Sequence, residues 1–200
     1  MRATRSQNHR MDVLAVTARR VGGCFRLPLL TGYLLLADRS SLDADIRRWE
    51  EVQPGTRGLL ELLAQPEFRS LYYLRLRAGG TVGRVAAKLL ALVYRPQPTL
   101  YITTADIGPG FYIQHGFATI VAAKRIGANC WVNQQVTIGY DETLECPVLE
   151  DGVTVHAGAK VIGGITLGAG STVGANAVVV RDVPPGATAV GVPAHRSARS

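Results

Sequence analysis

The chain has 200 residues, 47% of them hydrophobic, which is enough apolar material to bury a core in one or two compact units and excludes a disordered protein. Its three cysteines, Cys24, Cys130 and Cys146, have no paired spacing, which excludes a disulfide framework or a zinc site and fits a reducing cytoplasm. The net charge of +7 is carried by the first half: residues 1–98 hold 16 Lys and Arg against 8 Asp and Glu, and residues 99–200 hold 6 against 7. The arginines are scattered among few aromatics and form no nucleic-acid-binding motif, so a solvated basic surface is expected there.

Along the chain, the apolar run Leu27 to Ala37 is interrupted by Pro28 and Gly32 and falls short of the roughly 20 residues that span a bilayer, so no transmembrane segment is expected. Arginines precede it, but it lacks a small-x-small cleavage site, which argues against a secretory leader. Three helical stretches then follow. Ser40 and Asp43 have the spacing of a capping box, and Leu42, Ile46, Trp49 and Val52 recur at helical intervals. After Pro66, Phe68, Leu71, Tyr72 and Leu76 share a face. Val82, Val85, Ala86, Leu89 and Val93 form a third stripe, stopped by Arg95-Pro96-Gln97-Pro98. All three stripes are expected to be core, and residues 1–98 read as an N-terminal helical region.

After Pro98 the period changes. Aliphatic residues return every six positions: Ile107 and Ile113; Ile120, Ile126, Val132 and Ile138; then Leu149, Val155, Val161, Leu167, Val173 and Val179. A second small or apolar residue stands four places after most of these, at Cys130, Val136, Val153, Ala159, Ile165, Ser171 and Ala177, with Gly, Asn, Asp and Ala between, which suit tight corners. A six-residue unit cannot bury its own apolar side. The stable arrangement is a stack in which each unit supplies one face of a coil, three faces making a triangular prism. A β-sandwich would alternate with period two and space its strands by about 8 to 12 residues, which does not match.

Two breaks mark departures from the prism. The step from Ile113 to Ile120 is seven residues, beside His115. The step from Ile138 to Leu149 is eleven, and Tyr140 to Pro147 reads as an extruded loop. Irregularities in a regular scaffold are where sites lie.

Ile113-Gln114-His115-Gly116, Gln134-Gln135-Val136-Thr137-Ile138-Gly139, Gly158-Ala159-Lys160-Val161-Ile162-Gly163 and the ending Asp182-Val183-Pro184-Pro185-Gly186-Ala187 through Val190-Gly191-Val192-Pro193-Ala194 resemble the hexapeptide-repeat acyltransferases, specifically their serine acetyltransferase branch. The resemblance implies an α+β chain: helices over 1–98, a left-handed parallel β-helix over 99–195, and a short tail, 196–200. It also implies an acetyl-CoA-dependent O-acetyltransferase and a homotrimer with sites in the clefts between prisms. Helical N-terminal regions pair two trimers in the serine enzymes, and this one is short for that role.

An alcohol is a poor nucleophile at neutral pH, so a base must take its proton as the oxygen attacks the thioester. His115 occupies the slot of the family's catalytic histidine. Family contacts to the donor map onto Tyr140, Ala157 and Ala175, with Gly139 and Lys160 as neighbours and Lys160 offering charge to phosphate. Ala157 and Ala175 are 18 residues apart, one full coil. For the acceptor, the residues expected to line the site are Gln114, Asn133, Gln135, Glu145 and Cys146. Gln114 replaces the family's Asp, Glu145-Cys146 replaces Arg-His, and Leu100 stands where the family's orienting Asp would be. The acceptor therefore stays open between serine and a sugar-type hydroxyl, and the group that orients His115 stays open among a backbone carbonyl, Asp106 and Asp141. Cys146 has no local base to make it a nucleophile, His156 should point outward, and no metal-ligand cluster is visible. The alternative is a non-catalytic structural or partner-binding trimer.

Overall fold

The computed structural model describes residues 26–36 and 39–197 of the chain. Cys24 lies outside them. So does the expected tail, apart from the backbone of residues 196 and 197. Helices α1 (Leu27–Leu35), α2 (Ser40–Val52), α3 (Leu59–Leu62), α4 (Pro66–Ala78) and α5 (Gly80–Val93) precede a stack of short strands. Among the described residues no helix is long and apolar enough to cross a membrane.

Pro66 starts α4 in its first turn, where a missing N–H costs nothing. Ser40 begins α2, with Arg39 in the N-cap position rather than Ser40, and Asp43 accepts a hydrogen bond from the Tyr33 hydroxyl at 2.9 Å. Leu42 and Trp49 of α2 and Phe68, Leu71, Tyr72 and Leu76 of α4 are buried, as their spacing requires.

The stripe expected on α5 is not core. Val82, Val85 and Leu89 are exposed, and the buried positions are Gly83 and Ala87. A Cβ at Gly83 would collide with the Leu76 carbonyl. The two helices approach so closely at that point that only a glycine fits, which turns Val82, Val85 and Leu89 to the outside while Leu90 packs against the core.

The strands make three parallel faces. One is β1 (Leu100–Ile102), β3 (Thr119–Val121), β6 (Thr137–Gly139), β9 (Lys160–Ile162) and β12 (Val178–Val179). The second is β2 (Tyr112–Ile113), β5 (Trp131–Val132), β8 (Thr154–Val155), β11 (Thr172–Val173) and β13 (Thr188–Val190), closed by antiparallel β14 (His195–Ser197). The third is β4 (Arg125–Ile126), β7 (Val148–Leu149) and β10 (Thr166–Leu167). From β1 to β13, successive strands in sequence belong to different faces, and the coil matches a left-handed β-helix of about five turns. Stacked partners are one coil apart, as in Val155 opposite Val173 and Val161 opposite Val179.

The axis is filled by Ile113, Ile126, Val132, Ile138, Leu149, Val155, Val161, Leu167 and Val173, with Cys130, Val136, Val153, Ala159, Ser171 and Ala177 buried between them. Ile120 departs from the expected series. It is 44% exposed, and Val121 is buried in its place, stacked between Ile102 and Ile138. The cause is the turn before it, where His115, Gly116 and Ala118 all have positive φ (63°, 49° and 50°) and add length to the corner. The irregularity beside His115 is therefore larger than the one residue the spacing implies.

The helices are fixed to the first coil by a buried ion pair. The Asp45 carboxylate, wholly buried on α2, accepts hydrogen bonds from Arg75 Nε (2.8 Å) and Nη2 (3.1 Å) and from the backbone N–H groups of Gly110 (2.8 Å) and Phe111 (3.0 Å). Arg75 donates onward to the carbonyls of Ile107 and Gly108. Burial pushes the Asp45 carboxyl up, and the guanidinium and the two amides hold it down; four donors within 3.1 Å favour the ionised form. Asp45→Ala leaves Arg75 buried without its counter-charge, which should cost about 3–5 kcal/mol in a urea titration; a loss under about 1 kcal/mol would mean the joint is not structural.

Candidate active site

His115 stands at an exposed corner between β2 and β3, held in the left-handed region. The corner is bounded by Gln114 N–H donating to Val132 O (2.9 Å) and Gln135 N–H donating to Phe117 O (3.0 Å), so it stacks directly on the corner of the next coil. Gly158 N–H donates to Gln134 O (3.1 Å) and Asn176 N–H to Ala157 O (2.9 Å), which continues the same edge through Ala157 and Ala175. His115 thus heads an edge whose later corners are Gln134, Ala157 and Ala175. At about 4.8 Å per coil, Ala175 lies about 14 Å down that edge from His115.

The helices supply the other wall. His115, Gln114, Ile113, Tyr112 and Trp131 of the prism face Val52, Gln53, Gln65 and Glu67 across a cleft of about 430 Å³. Its geometry follows from the joint described above. Trp49 of α2 donates its indole N–H to Phe111 O at 2.9 Å and packs edge-on against Phe68 and Tyr112, and Tyr112 packs edge-on against Trp131. Gln53 Nε2 donates to the Tyr112 hydroxyl (2.9 Å), and Gln65 Nε2 donates to Gln53 Oε1 (2.6 Å). Glu67 packs beside the turn: a Cβ on Gly116 would come within 2.9 Å of Glu67 Cγ. Gln97 Nε2 lies 3.4 Å from Glu67 Oε1 and 3.5 Å from the His115 carbonyl.

Of the acceptor candidates, only Gln114 lines this cleft. Asn133 is one coil further on, with its carbonyl 3.5 Å from the Thr119 hydroxyl and its side-chain oxygen buried. Gln135 is an exposed corner residue, and Glu145 and Cys146 belong to the extruded loop, whose residues 140–145 are all exposed. Among the donor candidates, Ala157 and Ala175 share the His115 edge, whereas Tyr140 stands at the next corner, across β6. Gly139 accepts from Gly163 N–H (3.0 Å), and Lys160 Nζ donates to Gln135 O at 2.6 Å.

Neither Asp106 nor Asp141 lines the cleft. The Asp141 carboxyl is held below its ordinary range by the Thr143 side chain and backbone N–H. The acid that does face the cleft is Glu67, on an amphipathic helix with no local motif to single it out; Gln53 and Gln65 are cap residues at helix ends, equally without a motif. His156 is exposed, and among the described residues no group of His, Cys, Asp and Glu comes together to hold a metal.

A left-handed β-helix of six-residue units with a histidine at an edge corner defines the hexapeptide-repeat acyltransferase class. Comparison with known proteins narrows this. No family model matches the chain. A serine acetyltransferase from Synechococcus elongatus is 36% identical over 168 residues, covering 80% of this chain and 69% of that one. A serine acetyltransferase from Mycobacterium tuberculosis is 31% identical over 171 residues, covering 77% and 71%. The crystal structure of Neisseria gonorrhoeae serine acetyltransferase in complex with serine superposes with a TM-score of 0.61 at 26% identity, covering 80% of this chain and 68% of that one. The chain belongs to the serine acetyltransferase family and is an acyltransferase.

Cys130 is inside the prism, and burial pushes its thiol up to about 11. Only about one part in a thousand is then thiolate at pH 8, so Cys130 should resist iodoacetamide in the folded protein and react once urea unfolds it. Peptide mapping that finds Cys130 alkylated under native conditions would contradict this placement.

Proposed function

We propose that the protein transfers an acetyl group from acetyl-CoA to the hydroxyl of a small acceptor, with His115 as general base. Serine is the acceptor to which the relatives' name points. The observation that carries the reading is the position of His115, at the head of the edge that continues through Ala157 and Ala175 and at the mouth of a cleft walled by the helices.

An extended pantetheine arm lies along that edge, past Ala157 and Ala175, with its thioester delivered to His115. Gly139, Tyr140 and Lys160 line the same face, and Lys160 exchanges its bond to Gln135 O for a phosphate oxygen. The imidazole takes the proton of the acceptor hydroxyl as its oxygen attacks the acetyl carbonyl. Collapse of the tetrahedral intermediate breaks the carbon–sulfur bond, and the proton held on the imidazolium leaves with the CoA thiolate. Gln114 positions the acceptor. The enzyme acts in the cytoplasm as a homotrimer, and the extruded loop bearing Glu145 and Cys146 reaches the cleft of the adjacent subunit, the arrangement in which those two residues, distant from His115 within one protomer, belong to the site. Asn133 and Gln135, on the corner below His115, complete it. Retention of His115 at this position argues against a non-catalytic trimer, for which the one argument is Leu100 in the slot of the family's orienting Asp.

General-base help contributes about 100-fold to 10,000-fold, so His115→Gln should lower thiol release from acetyl-CoA on that scale, with acetyl-CoA binding by calorimetry and the subunit number kept. A variant that retains more than about a tenth of the wild-type rate would remove His115 from the chemistry.

A further inference from the structure

The turn that carries His115 has to be held in place. His115, Gly116 and Ala118 have φ values of 63°, 49° and 50°, a region disfavoured outside glycine because Cβ crowds the following carbonyl oxygen. Such a conformation persists only where its surroundings over-determine it. On the prism side the ties are backbone bonds: Gly116 N–H donates to Gln114 O (2.8 Å), Phe117 N–H to His115 O (2.6 Å) and Gln135 N–H to Phe117 O (3.0 Å).

On the helix side the tie is a brace of side chains. The segment between α5 and β1 is clamped to the first two turns of α4. Arg69 Nε donates to Arg95 O (3.0 Å) and the Tyr73 hydroxyl to Tyr94 O (2.8 Å), and Gln97 N–H is shared between Pro66 O and the Ser70 hydroxyl, both at 3.1 Å. With its backbone fixed in this way, Gln97 reaches the turn with its side-chain amide, 3.4 Å from Glu67 Oε1 and 3.5 Å from His115 O. The amide has two hydrogens, one for each oxygen. Both distances are long for hydrogen bonds, as such contacts are before substrates close a site. Glu67 lies against the turn itself: a Cβ on Gly116 would come within 2.9 Å of Glu67 Cγ and 3.3 Å of Leu100 Cδ2. These contacts are all made within one protomer and stand whatever the adjacent subunit adds to the cleft.

We infer that Glu67 and Gln97 are positioning residues for His115. This rests on the general-base reading and names the groups that orient the base. Gln97 holds the His115 carbonyl, and with it the backbone from which the imidazole projects, and Glu67 holds Gln97. The imidazole becomes a cation when it takes the acceptor proton, and a carboxylate on the facing wall stabilises that state. Glu67 takes no proton itself, since the proton leaves with the CoA thiolate.

The test assays Glu67→Gln, Gln97→Leu and the double variant as intact oligomers, by thiol release from acetyl-CoA with L-serine. Each single variant should lower kcat at least about fivefold, because a base misplaced by about 1 Å can lose about 100-fold. The KM for serine and the calorimetric affinity for acetyl-CoA should stay within about threefold of wild type. The double variant should fall no more than about threefold below the slower single variant, since two parts of one brace are not additive. Glu67→Asp, which keeps the charge, should turn over at least about threefold faster than Glu67→Gln. Should Gln97→Leu fail to assemble, Gln97→Met takes its place. A smaller loss of kcat in either single variant, or losses that multiply in the double variant, overturns the inference and leaves His115 as the base. A larger rise in the KM for serine would make Glu67 an acceptor contact and overturns it too. A His115→Gln rate near wild type in the same assay, or no thiol release by the wild-type protein, removes both readings.

Discussion

The site depends on the Asp45–Arg75 pair and the four backbone groups it engages. A carboxylate buried on a helix is tolerated only when its charge is met, and here it is met by a guanidinium from α4 and two amides from the loop that leads into β2. Because Arg75 also binds the carbonyls of Ile107 and Gly108, one polar cluster locks two helices to the first coil of the prism. The segment it grips ends four residues before His115. Trp49 and Gln53 extend the grip to Phe111 and Tyr112, so the helices and the histidine corner keep a fixed distance and a cleft remains between them.

The prism gives the other half of the geometry. Once each six-residue unit must bury its aliphatic against its neighbours, corners stack above corners, and a side chain at one corner is automatically aligned with those one coil away. That is how Ala157 and Ala175 come to share an edge with His115, although they are far from it in sequence. Small residues at the Ala157 and Ala175 corners leave that stretch of the edge open, and the lengthened turn at His115 to Ala118, with its positive φ values, lifts the imidazole out of the regular surface. Regularity aligns the corners along an edge, and the irregularity places a histidine at its head.

The prism was readable in the sequence because its repeat is local: the positions expected to face the axis from Ile126 to Val179 are buried. The extruded loop was readable for the same reason, as an interruption of a known period. Ile120 was misplaced because the turn before it changes register, which no spacing rule registers. The stripe on α5 was misread because helical periodicity says which residues share a face but not which face is inside; a glycine pressed against the Leu76 carbonyl decided that. His115 could be singled out from its motif and the break beside it. Gln53, Gln65 and Glu67 could not, since they join the cleft only through the tertiary contact between helix and coil.

A crystal structure of the protein with CoA bound tests whether the thioester meets His115 at the head of the corner edge. The CoA sulfur is expected within about 5 Å of an imidazole nitrogen of His115, with the pantetheine arm running past Ala157 and Ala175. A sulfur more than about 10 Å from that ring, beyond the reach of any proton transfer to it, would remove His115 from the reaction.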